Sequence, residues 1–425
     1  MKKEKVMQLL QNEKFQTLIK RVENKIESVH KQFDYVAMVN QAKVLESYKK
    51  HQVADFHFTP STGYGYDDVG RDTLEAIYAD VFGGEAALVR PQIISGTHAI
   101  ATCLFGVLRP GDELVYITGK PYDTLEEIVG IRGNGHGSLK EFKIDYRAIP
   151  LLENGWINEG EITQAITSKT KVIGIQRSKG YDDRPSFTIS EIKKMIEFIR
   201  NIKEDVIIFV DNCYGEFVEE MEPCQVGADL MAGSLIKNPG GGIVKTGGYI
   251  VGKEKLIELA SYRLAAPGIG REGGASLYSL QEMYQGFFLA PHVVAQALKG
   301  ATFTAACLED LGMSTSPSWS DKRTDLIQSV RFPTAEAMIK FCQAIQSASP
   351  VNAHVTPHPS PMPGYEDDVI MAAGTFIQGA SIELTADGPI RPPYVAYVQG
   401  GLTYEHVKIA VIQAIDSLKI VNGEN

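Results

Sequence analysis

From about residue 90 to 252, short apolar runs alternate with segments of helical period, and few architectures accept that pattern. "DELVYIT", "TKVIGIQ", "DVIIFVDN" and "ADLMAGSLI" read as buried strands, whereas "ISEIKKMIEFIRNIK" carries an apolar face at helical spacing. Strands that are apolar throughout, separated by helices, bury themselves as a mainly parallel sheet covered on both faces. In such a sheet a ligand sits beyond the carboxyl ends of the strands, so the residues that follow each run matter most.

Charge and hydropathy narrow the function. The formal net charge of -10 is spread along the chain with no basic block, which argues against nucleic acid as a partner. The longest apolar run, Ala99 to Leu108, stops at Arg109, far short of the ~20 residues a membrane helix needs, and "MKKEKVMQLLQNEKFQ" returns to charge before a signal-peptide core develops. No membrane partner and a cytoplasmic location are expected. Cys103, Cys213, Cys224, Cys307 and Cys342 show no C-x-x-C spacing and read as reduced thiols. His354 and His358 are helix-spaced, but Pro357 and Pro359 deny the helix, so no metal is expected.

Helical periodicity near the start (Val6, Leu9, Leu10, Phe15, Leu18, Ile19, Val22, Ile26) suggests an N-terminal helical arm over 1–60. A large ligand-binding domain over 61–300 and a smaller α+β domain over 301–425 follow.

The strand ends form a set. "QIISGTHAIATCLFGVL" predicts a strand, a Ser95-Gly96-Thr97 turn and a helix starting near His98, whose free N–H groups suit a phosphate. Tyr122 stands at the start of another helix, where its ring can stack on a heterocycle. Gln176, Arg177, Ser178 and Lys179 follow one strand, and Asp211 ends the most hydrophobic one. The next strand delivers Ser234 and Lys237 to the same edge, followed by "NPGGGIVKTGG". A P-loop anchored on Lys245 would need glycine at 239 and 244, where Pro239 and Val244 stand, so Lys245 reads as a loop residue. Glu216, Glu219, Glu220 and Glu222 read as a solvated acidic face.

A strand-end lysine, an aspartate 26 positions earlier, a phosphate-binding turn and an aromatic stacker together point to pyridoxal 5'-phosphate (PLP). Lys237 would carry the cofactor covalently, its pKa lowered by desolvation. Asp211 would keep the pyridine nitrogen protonated.

The order Gly96-Thr97, Tyr122, Asp211, Ser234, Lys237 resembles that of fold-type I PLP enzymes, in particular the Cys/Met-metabolism group of cystathionine β- and γ-lyases and methionine γ-lyase. "DNCYGEFVE", "GSLIKNPGGGI", "PHPSPMPGYEDDVIMAAGTF" and "ADGPIRPPYVAYVQGGLT" resemble more closely the bacterial aluminium-resistance, or methionine γ-lyase-like, family, over roughly residues 30 to 420. That resemblance implies an α/β fold with a mainly parallel seven-stranded sheet between helices and a smaller α+β C-terminal domain. It also implies PLP held covalently by Lys237, Asp211 against the pyridine nitrogen, Tyr122 against the ring, and Ser95, Gly96, Thr97 and Ser234 around the phosphate.

Two departures stand out: Ile236 replaces the threonine of S-x-T-K, and the usual S-G-M turn is S-G-T. The group completes its phosphate site from a neighbouring subunit, a role that falls here to Tyr64 in "STGYGYDDVGRD", with Tyr66 and Arg71 nearby. A homo-oligomer, at least a dimer and expected to be a tetramer, follows. The small domain of this fold usually supplies the arginine for the substrate's α-carboxylate, which points to Arg391, with Arg177 and Arg271 as rivals and Gln176 nearby. The expected activity is a carbon–sulfur lyase acting on a small sulfur-containing amino acid. The alternatives are an aldolase- or aminotransferase-type reaction on the same scaffold, or binding of PLP or a nucleotide without chemistry.

Overall fold

A computed structural model describes residues 2–362 and 365–418. In chain order its elements are α1 (Lys2–Gln11), α2 (Glu13–Lys50), α3 (Val69–Phe82), β1 (Ala86–Arg90), α4 (Gly96–Val107), β2 (Glu113–Tyr116), α5 (Asp123–Val129), β3 (Asp145–Ala148), α6 (Glu159–Ala165), β4 (Thr170–Gln176), α7 (Ile189–Ile202), β5 (Ile207–Asp211), β6 (Leu230–Ser234) and β7 (Gly248–Gly252). They continue as α8 (Glu254–Leu264), α9 (Leu280–Asp310), β8 (Thr315–Ser316), β9 (Gln328–Arg331), α10 (Ala335–Ala348), β10 (Val369–Ala372), β11 (Thr385–Pro389), β12 (Val395–Gln399) and α11 (Tyr404–Ser417).

Contacts divide the chain into two units: residues 40–289, and residues up to 39 together with those from 290 onward. Both divisions fall inside helices, α2 and α9. The sequence suggested boundaries near 60 and 300, because loop punctuation is what a sequence displays and a continuous helix shows none.

The 40–289 unit contains a seven-stranded sheet in the order β1-β7-β6-β5-β4-β2-β3. β3, β2, β4, β5 and β6 run parallel, and β7 is antiparallel to both β6 and β1. The apolar runs are buried on both faces, as their unbroken character requires. Phe209 packs with Leu88, Ile100, Leu114 and Ile257 on one side, and its equally buried neighbours Ile208 and Val210 alternate to the other. α4 packs on α8 and β6. Helix starts follow local chemistry: Thr188 caps α7, its hydroxyl accepting from Glu191 N while the Glu191 carboxylate accepts from Thr188 N.

The other unit holds a five-stranded antiparallel sheet ordered β10-β11-β12-β9-β8. Its core gathers Phe303, Val330, Phe341, Ile370, Val398 and Val411, and the apolar stripe Phe15, Leu18, Val22 and Ile26 of α2 belongs to the same core. The N-terminal periodicity therefore marks a core helix of this unit. Among the described residues no helix is long and apolar enough to cross a membrane, and no group of three or more His, Cys, Asp or Glu is placed to hold a metal.

Candidate active site

Parallel strands whose polar residues fall just past an apolar run deliver those residues to one edge. β4 and β5 pair so that Gln176 lies opposite Asp211, and β5 and β6 pair so that Asp211 lies opposite Ala232, two residues before Ser234. The edge opens into a cavity of about 670 Å³, counting its mouth, whose walls include Gly96, Tyr122, Gln176, Asp211, Ser234 and Lys237. Ser95 and Thr97 line it too. One cavity therefore gathers eight of the residues that the sequence singled out.

The N-terminus of α4 forms one wall. The Ser95 hydroxyl accepts from His98 N at 3.0 Å and caps the helix. His98 is absorbed by its own turn, its Nδ1 accepting from Ile94 N at 3.2 Å. Gly96 sits at a close approach: a Cβ there would lie 3.1 Å from Cys213 Sγ and 3.4 Å from Ser234 Cβ. The first helical N–H groups are thus brought against the strand ends, where they can meet an anion. Thr97 Oγ1 bonds Thr124 Oγ1 at 2.9 Å, which joins this helix start to that of α5. Tyr122 occupies the N-cap position of α5, and its ring rests on Gly180, where a Cβ would come within 2.8 Å of Cδ2.

Asp211 is a buried carboxyl on the cavity wall, accepting from Cys213 N at 3.1 Å. Burial pushes its pKa up, while Lys237 and the Cys213 N–H pull it down. A carboxyl so placed favours a proton or a cationic N–H as partner. Lys237 Nζ lies 3.8 Å from the centre of the Tyr214 ring. Tyr214 takes a left-handed backbone at φ 72°, and Asn238 Nδ2 donates to the carbonyls of Tyr214 (3.0 Å) and Glu216 (2.9 Å). Gln176 donates from Nε2 to Ser178 O at 2.9 Å, and its buried Oε1 has no partner.

Three expectations are corrected. Lys237 was expected to have a lowered pKa: burial does lower it, but the surrounding Cys213, Tyr214, Asp211 and Glu216 outweigh burial and hold it above the usual lysine value. Arg177 was expected near the substrate; it is 0% exposed and lies among Asn212 (2.9 Å), Glu219 (3.3 Å) and Glu222 (3.4 Å), where its charge is already answered. The acidic run was expected to be solvated, yet Glu216 and Glu222 are buried.

The remaining candidates have neighbours of their own. Arg391 belongs to the other unit and pairs with Asp367 at 3.0 Å. Arg271 lies 4.0 Å from Glu75, whose other oxygen takes Arg90. Tyr64 is 77% exposed and stacks on Tyr66 at 5.4 Å, while Arg71 is spent on the carbonyls of Gly65 and Gly274. Lys245 pairs with Glu282 at the surface. Thr124, Cys213, Tyr214 and Ile236 are cavity residues that the sequence did not single out as ligands.

The donor set fits PLP: helix N–H groups and hydroxyls for a phosphate, a carboxyl seeking a proton or N–H, an aromatic wall and an amine in one cavity. The sequence model of the methionine gamma-lyase family matches residues 15–419. YnbB of Bacillus subtilis, an uncharacterised protein, is 73% identical over 93% of this chain and 94% of its own length. The structure of a candidate cystathionine beta-lyase involved in aluminum resistance, from Listeria monocytogenes, is 68% identical with TM-score 0.94, covering 95% of this chain and 100% of that one. The PLP-dependent protein YhfS of Escherichia coli, 17% identical, superposes with TM-score 0.60 over 90% of this chain and 96% of its own, a likeness of fold.

Proposed function

The chain belongs to the methionine gamma-lyase family, and from that premise we propose that it is a PLP-dependent lyase that breaks a carbon–sulfur bond of a small amino acid. The observation that carries this reading is the single cavity shared by Lys237, Asp211, Tyr122 and the N-terminus of α4. Bound there, PLP supplies an aldehyde for covalent attachment and a ring that withdraws electrons from the substrate's α-carbon.

The chain's own groups divide the remaining work. Lys237 would be the attachment point, and its amine would serve as a base for the α-proton. Asp211 would hold the ring nitrogen's proton, Tyr122 would wall the ring, and Gly96, Thr97 and Ser234 would offer N–H and O–H donors to the phosphate. Ile236 presents an apolar side chain beside Lys237, where the broader group has a hydroxyl. Arg391 remains the arginine we assign to the substrate carboxylate, and Gln176, with its unpartnered Oε1, a ligand for the substrate's ammonium. Incubation with cystathionine, methionine and cysteine is expected to release pyruvate or 2-oxobutyrate together with ammonia. A PLP-loaded protein that releases none of these from any of the three overturns the sulfur-lyase reading.

We also propose a homo-oligomer in the cytoplasm. Tyr64, Tyr66, Leu277 and Tyr278 (85% exposed) rise from two loops joined by Gly274 N to Tyr64 O and Leu277 N to Ser61 O, and a second copy would cover them. Light scattering is expected to give at least twice the chain mass, and a monomer at micromolar concentration refutes the assembly. All five cysteines are free, as suits a reducing compartment.

A further inference from the structure

Glu216 is a titratable group that acts on Lys237 and has no task in the chemistry described above. It is 0% exposed. Its Oε1 accepts from the Tyr249 hydroxyl at 2.7 Å, and its Oε2 is buried with no partner. A Cβ on Gly233 of β6 would fall 2.5 Å from Oε1, so the carboxyl presses against the strand that leads to Lys237. Asn238, next to Lys237, grips the carbonyls of both Tyr214 and Glu216, and Lys237 Nζ lies over the Tyr214 ring. Lysine, ring and acid are therefore fixed to one clamp.

We propose that Glu216 is a positioning residue that governs the proton on Lys237. With its carboxyl protonated, the amine gives up its own proton readily to become a nucleophile; with the carboxyl ionised, the lysine is held as ammonium. The inference rests on the reading of Lys237 as the attachment lysine.

The groups that face Glu216 support the assignment. Tyr249 comes from β7, Tyr78 from α3, Cys213 from the segment after β5, and Glu222 and Lys237 complete the set. Glu222 lies beside the Arg177 guanidinium, and Lys237 is a cation whose field reaches Glu216. Burial pushes the Glu216 carboxyl up to about 8, with the Tyr249 hydroxyl and Lys237 opposing and Glu222 reinforcing. In turn, Glu216 is one of the groups that hold Lys237 above its usual value. Linkage makes the coupling reciprocal: ionising either group favours the charged form of the other.

The test uses the full chain treated with hydroxylamine to free Lys237, and reads acetylation of the Lys237 peptide by mass spectrometry from pH 6.5 to 9.5. An isolated amine reacts about tenfold faster per pH unit below its pKa. The wild-type rate is expected to rise less than this across pH 8 to 9, as Glu216 ionises. Glu216→Gln should keep the tenfold slope, equal wild type within about twofold at pH 6.5 and exceed it at least threefold at pH 9. Tyr249→Phe withdraws the hydroxyl from the carboxyl, so the flattened zone should move to higher pH, a readout that survives if Glu216→Gln does not fold. Melting temperatures give a second reading. A carboxyl raised to about 8 contributes stability fully below its unfolded pKa and loses it as pH rises through 8, so wild type should lose more than Glu216→Gln between pH 5 and 9. Superimposable rate profiles for all three proteins overturn the proposal. Because no lyase turnover is measured, an inactive enzyme with the expected rate profile overturns the proposed function alone.

Discussion

Lys237→Ala is expected to abolish turnover while leaving the protein folded. The loss of proton transfer alone removes ~10²–10⁴ in rate, and loss of the attachment point adds to it. Borohydride reduction should fix PLP to the Lys237 peptide of wild type and to no peptide of the variant, read by mass spectrometry. Folding should survive because the carboxyls that lose a cationic neighbour, Asp211 and Glu216, already sit above the usual carboxylate range and can take up protons. A variant that keeps wild-type turnover would remove Lys237 from the chemistry altogether.

Arg177→Met should have its largest effect on stability. It strips the guanidinium from Glu222 and Glu219 and leaves buried carboxylate without its partner, a change that typically costs about 3–5 kcal/mol. Urea denaturation should show that loss. Adding Glu222→Gln to the variant should recover part of it, because the second change removes the orphaned charge. Were Arg177 a substrate ligand, the variant would instead show a raised KM at unchanged stability. That outcome would restore the role expected from its place after β4.

The contrast between Gln176 and Arg177 shows how far the sequence can be read. Side chains alternate along extended backbone, so adjacent residues cannot share a face. Gln176 and Ser178 line the cavity and Arg177 is buried away from it, a period-two signal that was present in "IQRSK" and outweighed by the attraction of a guanidinium near a ligand edge. The strand ends themselves were legible because each apolar run stops on its polar residue. The buried state of Glu216 and Glu222 was not, since it depends on Tyr249 and Arg177, both distant in sequence. The proton affinity of Lys237 escaped because local burial argues one way, while Cys213, Tyr214, Asp211 and Glu216, brought against it from the end of β5 and the stretch that follows, argue the other. Helical periodicity in α2 was plain, but its partners in the core, Phe303, Phe341 and Val411, lie hundreds of residues on.

That last separation governs the order of events during synthesis. The unit of residues 40–289 is continuous and can close as soon as its own last strand has emerged. The stripe Phe15, Leu18, Val22 and Ile26 must wait for residues of α9, α10 and α11, on the order of tens of seconds at ~5–20 residues per second. Throughout that interval the nascent chain carries an amphipathic helix whose apolar stripe lacks the core that covers it.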